Sequence, residues 1–188
     1  MQISFGRKIP VATCSVINKV NKAPQKAIIF EHDCCDKKDY EYFINLPNRW
    51  EYKEEVAAQA LRKHNYPLSN LGTKIYSIET ATGRAIGIME TYQNGKMCDV
   101  QHLESKLKGL YGYTGSTLLS FLAQEKLNQN ISSIFVSNPA KSARKFYTEH
   151  CFFKDCPPLA LKLDKTNMER LIKKTQKKTK DKILNLER

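Results

Sequence analysis

Between residues 109 and 116 the chain reads Gly109-Leu110-Tyr111-Gly112-Tyr113-Thr114-Gly115-Ser116. The stretch separates a β-rich segment from an amphipathic run, the place of a strand-to-helix loop. Such a loop can hold an anion. Glycines let the backbone approach a ligand, and the unpaired N–H groups of the first helical turn point at it. The helix dipole adds partial positive charge at the same spot. Two nucleotide-binding patterns are excluded. A P-loop needs lysine directly after its last glycine, where this chain has Ser116. A dinucleotide fingerprint needs G-x-G-x-x-G, and the spacing here is G-x-x-G-x-x-G. Taken alone, the glycines also fit a plain turn.

A second pattern follows: Ile134-Phe135-Val136-Ser137-Asn138, then Ala143-Arg144-Lys145-Phe146-Tyr147, then Cys151-Phe152-Phe153. It reads as an apolar strand ending in Asn, a short helix with Phe-Tyr in its second half, and an aromatic strand start. Together with the glycine loop it resembles the GNAT superfamily of N-acetyltransferases, whose corresponding strand and helix read V-x-x-x-N…A-x-x-F-Y-x-x-x-G-F. The resemblance covers roughly residues 27–163 and is most specific over 109–153. It implies an α/β fold with a mixed, mostly antiparallel central sheet flanked by helices. It also implies acetyl-CoA as cofactor, with transfer to a primary amine by direct attack in a ternary complex. The cofactor's pyrophosphate would then meet Leu110, Tyr111, Gly112, Tyr113, Thr114, Gly115 and Ser116.

The family loop reads [RQ]-x-x-G-x-[GA], and two registers are open. With Gly115 in the last place, Tyr113 stands on the first glycine and Leu110 on the Arg/Gln. Starting from Gly112 instead puts Thr114 in the last place. Asn138 lies two residues farther from Ala143 than in the family, and Cys151 replaces the glycine before Phe152. Asn138 either contacts the pantetheine arm or caps the following helix.

The chemistry the resemblance implies says which side chains to seek. A lysine-type amine has a pKa near 10.4 and must lose a proton before it attacks. A carboxylate, often through water, can accept that proton. Glu104, at the end of the strand before the loop, is the first candidate, with Glu90 and His102 as rivals. Backbone amides of that splayed strand would hold the thioester oxygen as charge develops. The resemblance implies Tyr147 as general acid for the leaving thiolate; the alternative is a core aromatic beside Phe146. Trp50, Tyr40, Tyr42, Phe43 and Tyr52 form either an acceptor-site wall, as the resemblance implies, or plain core.

The elements that position these residues can be read independently. Residues 9–17 and 27–31 read as a β-hairpin joined by 18–24. Helices follow over 36–46, stopped by Leu46-Pro47-Asn48, and over 51–64, ending before Asn65-Tyr66-Pro67. Strands over 74–80, 84–92 and 97–103 form an antiparallel meander, its second turn the Asn94-Gly95 pair that suits a type I′ hairpin. A helix over 116–128, a strand over 133–137, a helix over 140–150 and one or two strands over 152–163 around Pro157-Pro158 complete the order. Met168, Leu171 and Ile172 give a last, basic helix a small apolar face.

At 188 residues and 21.6 kDa, with 41% hydrophobic and 27% charged residues, the chain is long enough for one core without staples. No run approaches a membrane span, and Met1 to Lys8 lacks the basic-then-apolar order of a signal peptide. These point to a soluble, cytoplasmic protein without a membrane partner. The six cysteines form no disulfide framework, and His32 with Cys34-Cys35 lacks the second ligand pair a zinc site needs. Net charge is +12, and half of it falls in residues 162–188. The expectation is one GNAT-like domain over 1–163, with its hairpin at about 9–31, and a basic helical tail over 164–188. The acceptor amine would sit on a macromolecule, a protein or an aminoacyl-tRNA, with RNA or ribosome contact through the tail. The alternative is a GNAT scaffold without catalysis that binds nucleic acid or protein through that tail.

Overall fold

The computed structural model describes residues 8–32, 37–47, 50–65 and 72–186. The expected start of the first helix at Asp36, its stop at Asn48 and the Tyr66-Pro67 boundary lie outside the described residues. So does the Cys34-Cys35 pair.

Strands β1 (Ile9–Asn18) and β2 (Ala23–His32) form the hairpin. Asn18 and Asn21 shape its turn, each accepting with its side-chain oxygen a backbone N–H two residues on. The second strand begins earlier than the sequence indicates because Pro24 is tolerated there. It pairs with Ile17 on one side only, since pairing with the next strand starts at Ala27. Helices α1 (Lys37–Ile44) and α2 (Lys53–Asn65) follow, then the meander β3 (Thr73–Thr80), β4 (Ala85–Asn94) and β5 (Met97–Ser105). The second turn of the meander falls one residue later than expected. Asn94 closes the ladder opposite Met97, and Gly95 and Lys96 form the loop. Only Gly95 has a positive φ (56°), so it is not the type I′ turn that Asn94-Gly95 suggests.

A two-residue strand β6 (Tyr111–Gly112) leads into α3 (Thr114–Asn128), which starts two residues before the expected point. Next come β7 (Ser133–Ser137) and α4 (Lys141–Lys145), whose last turn widens into a π-helical turn over Phe146–His150. The chain closes with β8 (Lys154–Cys156), β9 (Ala160–Asp164), α5 (Lys165–Thr179) and β10 (Leu184–Asn185).

One sheet runs in the order β10-β1-β2-β3-β4-β5-β7-β9-β8. Every pairing is antiparallel except β5 with β7. The main core lies on one face, where Leu118, Phe121 and Leu122 of α3 and Met168 and Leu171 of α5 meet Val16, Ile29, Tyr76 and Ile78 of the strands. Helices α1 and α2 cover the other face, with Phe43, Trp50, Val56 and Ala60 against Ile75 and Ile88. The basic C-terminal segment therefore packs on the domain. Asp164 caps α5 by accepting the Asn167 N–H at 2.9 Å. Beyond the helix, Asp181 accepts from Ser15 at 2.7 Å and Lys26 at 2.6 Å. Among the described residues no helix is long and apolar enough to cross a membrane.

Candidate functional site

Strands β5 and β7 pair only where Met97–Asp99 faces Ser133–Phe135, although β5 continues to Ser105. Past Asp99 they part and open a wedge in the sheet. Two local devices accompany the parting. A bulge leaves Gln101 without a cross-strand partner on β4, between the Thr91–Val100 and Glu90–His102 pairs. The Asp99 side chain accepts the Ser137 N–H at 3.1 Å, a bond a strand carbonyl would otherwise take. Lys106 N–H donates to Ile86 on β4. Ladder alternation then turns the amides of Leu103 and Ser105 the opposite way, into the wedge.

The wedge is part of a cleft of about 1040 Å³ that continues past the N-terminus of α3. Tyr113 precedes that helix at φ 65° and gives its first turn no side-chain cap. The leading N–H groups of α3 therefore lack the capping acceptor that a Ser or Asp would supply. Thr114 and Thr117 on the same turn have buried hydroxyls that no group among the described residues satisfies. Thr114 lines the cleft and Thr117 does not, so it is the open N–H groups of this helix start that suit an anionic, oxygen-rich ligand. Close packing fixes the turn. A Cβ on Gly115 would come 3.1 Å from the Phe146 ring, and one on Gly87 would come 2.8 Å from Thr114 Cγ2 and Ile78 Cγ2. Lys19, Lys106, Lys108 and Lys174 bring positive charge to the cleft from three distant parts of the chain. No local motif marks them, and the sequence reading missed all four. Of the loop residues expected to bind cofactor, Tyr111, Gly112, Tyr113, Thr114, Gly115 and Ser116 line the cleft; Leu110 does not. Leu110 instead accepts the Lys19 N–H with its carbonyl and is 40% exposed.

At the wedge, the π-helical turn sets Tyr147 inward. Its ring is buried between Phe146 and Phe153, centroids 5.3 Å from each, and it lines the cleft. Burial above all, with Cys151, Tyr52 and Asp99 nearby, pushes its hydroxyl well above the ordinary tyrosine value. Glu104 is also in the cleft wall, but its oxygens are engaged. They accept the N–H of Glu51 at 2.9 Å and of Tyr52 at 3.1 Å, and pair with Lys106 at 2.6 Å. It anchors the chain entering α2. The two rivals meet each other: His102 Nε2 lies 3.6 Å from Glu90 Oε2, and His102 lines the cleft with its ring 5.0 Å from Tyr52. Burial raises Glu90 to about 7 and lowers His102 below its usual value.

Asn138 lines the cleft in a left-handed conformation, φ 49°, with its N–H donated to Leu159. It does not cap α4. Ala140 holds the N-cap, two residues on, without a side-chain bond. Among the five early aromatics only Tyr52 reaches the cleft; Trp50 and Phe43 are core.

A Ser-His-Asp arrangement exists elsewhere. His32 lies 3.0 Å from Asp39 and 2.9 Å from Ser77. All three are buried, away from the cleft, and Ser77 also donates to Glu79. It ties α1 to the sheet and offers no route for a substrate. Among the described residues no group of three potential ligands could hold a metal ion.

No family model matches the chain, and no curated protein matches it. Solved structures do. An acetyltransferase of the GNAT family from Staphylococcus aureus Mu50 aligns with TM-score 0.51 at 16% identity, over 74% of this chain and 99% of that one. AtaTR, crystallised with acetyl-CoA, aligns with TM-score 0.57 at 17% identity, over 77% and 97%. The spermidine/spermine N-acetyltransferase SpeG from Vibrio cholerae aligns with TM-score 0.54 at 13% identity, over 78% and 96%. What this chain shares with them is the fold.

Proposed function

We propose that this chain, which has the GNAT acetyltransferase fold, is an acetyl-CoA-dependent N-acetyltransferase that acts on a primary amine. The observation that carries the reading is the continuity of one cleft. It joins an uncapped helix start, lined by Thr114, Gly115 and Ser116, to a parted pair of strands flanked by Tyr147 and His102. The α3 N-terminus and the cleft lysines fit a phosphorylated ligand, and Asn138 and the Leu103 and Ser105 amides are placed to hold a chain running along the wedge. Bound acetyl-CoA would supply an acetyl group activated as a thioester.

The protein's own groups would do the rest. His102, with burial favouring its neutral form and Glu90 behind it, accepts the amine proton. Glu104 positions the entrance to α2 and so the Tyr52 side of the acceptor region. Tyr147 keeps its proton at neutral pH, as a general acid must. Strand amides stabilise developing negative charge without reorganising.

The acceptor is an amine on a flexible arm, a protein lysine or N-terminus or an aminoacyl-tRNA. A small polyamine is the second reading, supported by the spermidine N-acetyltransferases among the fold's neighbours and by Glu51 and Glu55 beside His102 and Tyr52. Calorimetric titration with acetyl-CoA, followed by mass-spectrometric detection of acetylated product from spermidine, lysine peptides and aminoacyl-tRNA, tests it. Binding with transfer to one class supports the reading and picks the acceptor. Absence of binding at millimolar acetyl-CoA overturns it.

A further inference from the structure

The lysine that α5 brings to the cleft differs from its neighbours on that helix. Lys174 is half-buried and fixed at two points. Its ammonium donates to the His150 carbonyl at 2.9 Å and stands 4.7 Å from the centroid of the Phe152 ring, which Arg170 also faces at 4.4 Å. Next to it Thr175 is buried and accepts a hydrogen bond from Ser120 of α3 at 2.8 Å, so the helix face carrying Lys174 is pinned to α3. Among the described residues no carboxylate pairs with Lys174. An ammonium has three N–H donors, and one is spent on the carbonyl. A positioned positive charge with spare donors therefore faces the cleft.

Its place is distinct from that of the other cations. Lys19 packs against Gly112, on the hairpin side of the α3 N-terminus. Phe146, at the start of the π-helical turn, packs against Gly115, and His150 and Lys174 lie beyond it at that turn's end. The start of α3 thus has cationic flanks on two sides. An acyl-CoA carries two separate kinds of phosphate, a diphosphate bridge and a phosphomonoester on its ribose. One helix start can cradle the bridge. The doubly charged monoester needs a cation of its own, set apart from that cradle.

We infer that Lys174 of α5 binds the ribose phosphomonoester of the CoA moiety, which makes the C-terminal helix a selectivity element of the cofactor site. The inference rests on the reading that acyl-CoA occupies this cleft. The full chain, a Lys174→Met variant that keeps the stem over Phe152, and a Lys108→Met variant are titrated calorimetrically with CoA and with dephospho-CoA. The unaltered protein is expected to prefer CoA by about tenfold. Lys174→Met should lose that preference by weakening CoA alone, with dephospho-CoA affinity unchanged and the ligand-free melting temperature lowered by no more than about a degree or two. Lys108→Met should keep the preference.

Equal binding of the two ligands by the unaltered protein overturns the inference and leaves the acyl-CoA reading standing. Equal weakening of both ligands by Lys174→Met, or loss of the preference in Lys108→Met, also overturns it. If the unaltered protein binds neither ligand, the acyl-CoA reading falls and takes this inference with it.

Discussion

A carboxylate held at about pKa 7 by burial, 3.6 Å from a histidine, leaves two separable traces. The first is in stability. Below pH 4.5 folded and unfolded chains both carry the Glu90 proton. Between 4.5 and about 7 the unfolded chain releases it while the folded chain keeps it, so stability falls as pH rises through that window. The loss amounts to about 3 kcal/mol. Glu90→Gln should therefore gain up to that much relative stability at pH 8 and little at pH 4.5, read by urea unfolding at both values. The lowered His102 pKa acts with the opposite sign and is present in both proteins. The second trace is in rate. Activity should fall as acid protonates His102. Glu90 is already neutral where that happens, so Glu90→Gln should leave the inflection in place, whereas His102→Gln should abolish it. An inflection that survives His102→Gln would assign the base elsewhere. For Tyr147, substitution by Phe keeps the contacts with Phe146 and Phe153 and removes only the hydroxyl. Turnover should drop by about 10²–10⁴ with acetyl-CoA affinity retained; an unchanged rate would remove the acid role.

At the level of elements, the cofactor end depends on how closely α3 approaches β4. Gly87→Ala would drive a methyl into Thr114 Cγ2 and Ile78 Cγ2, and about 1–3 kcal/mol of stability should be lost. Adding Thr114→Ser removes one of the three opposing methyls, the third being Leu118 Cδ1, and should restore part of it, measured by thermal unfolding of both variants. The hairpin, the meander and β7 were legible because Asn94-Gly95 and the apolar alternations are local signals. The early start of α3 was not. Thr114 and Gly115 look like loop residues, and Tyr113 takes up the left-handed turn that a glycine would advertise. Glu104 was findable as a carboxylate near the loop, yet its engagement with Glu51 and Tyr52 is a long-range fact. The π-helical turn that aims Tyr147 has no sequence signature of its own; only the Phe-Tyr resemblance pointed to that residue.

For the whole molecule, the packing of the C-terminal segment matters most. Its apolar face reads as small because Thr175 and Thr179 are buried alongside Met168 and Leu171; Ser120 of α3 donates to Thr175, and Thr179 donates to the Thr175 carbonyl. Hydroxyls satisfied by one another or by the backbone hide a packed face from hydrophobic patterning. Deleting residues 164–188 removes Met168, Leu171 and Ile183 from the core and should abolish cooperative unfolding. Changing exposed Lys173, Lys177 and Lys178 to Gln should leave the melting temperature within about a degree or two. A deleted chain that still melts sharply would make the segment dispensable. Finally, the outer edge of β1 holds both β10, at Ala12 and Thr13, and β6, at Ile17 and Asn18. One strand edge thus clips down the chain's end and the loop that enters the cleft. Fraying at either clip loosens the rail the other is fastened to, so a ligand that quiets the loop should slow amide exchange at Leu184 and Asn185, far from anything it touches.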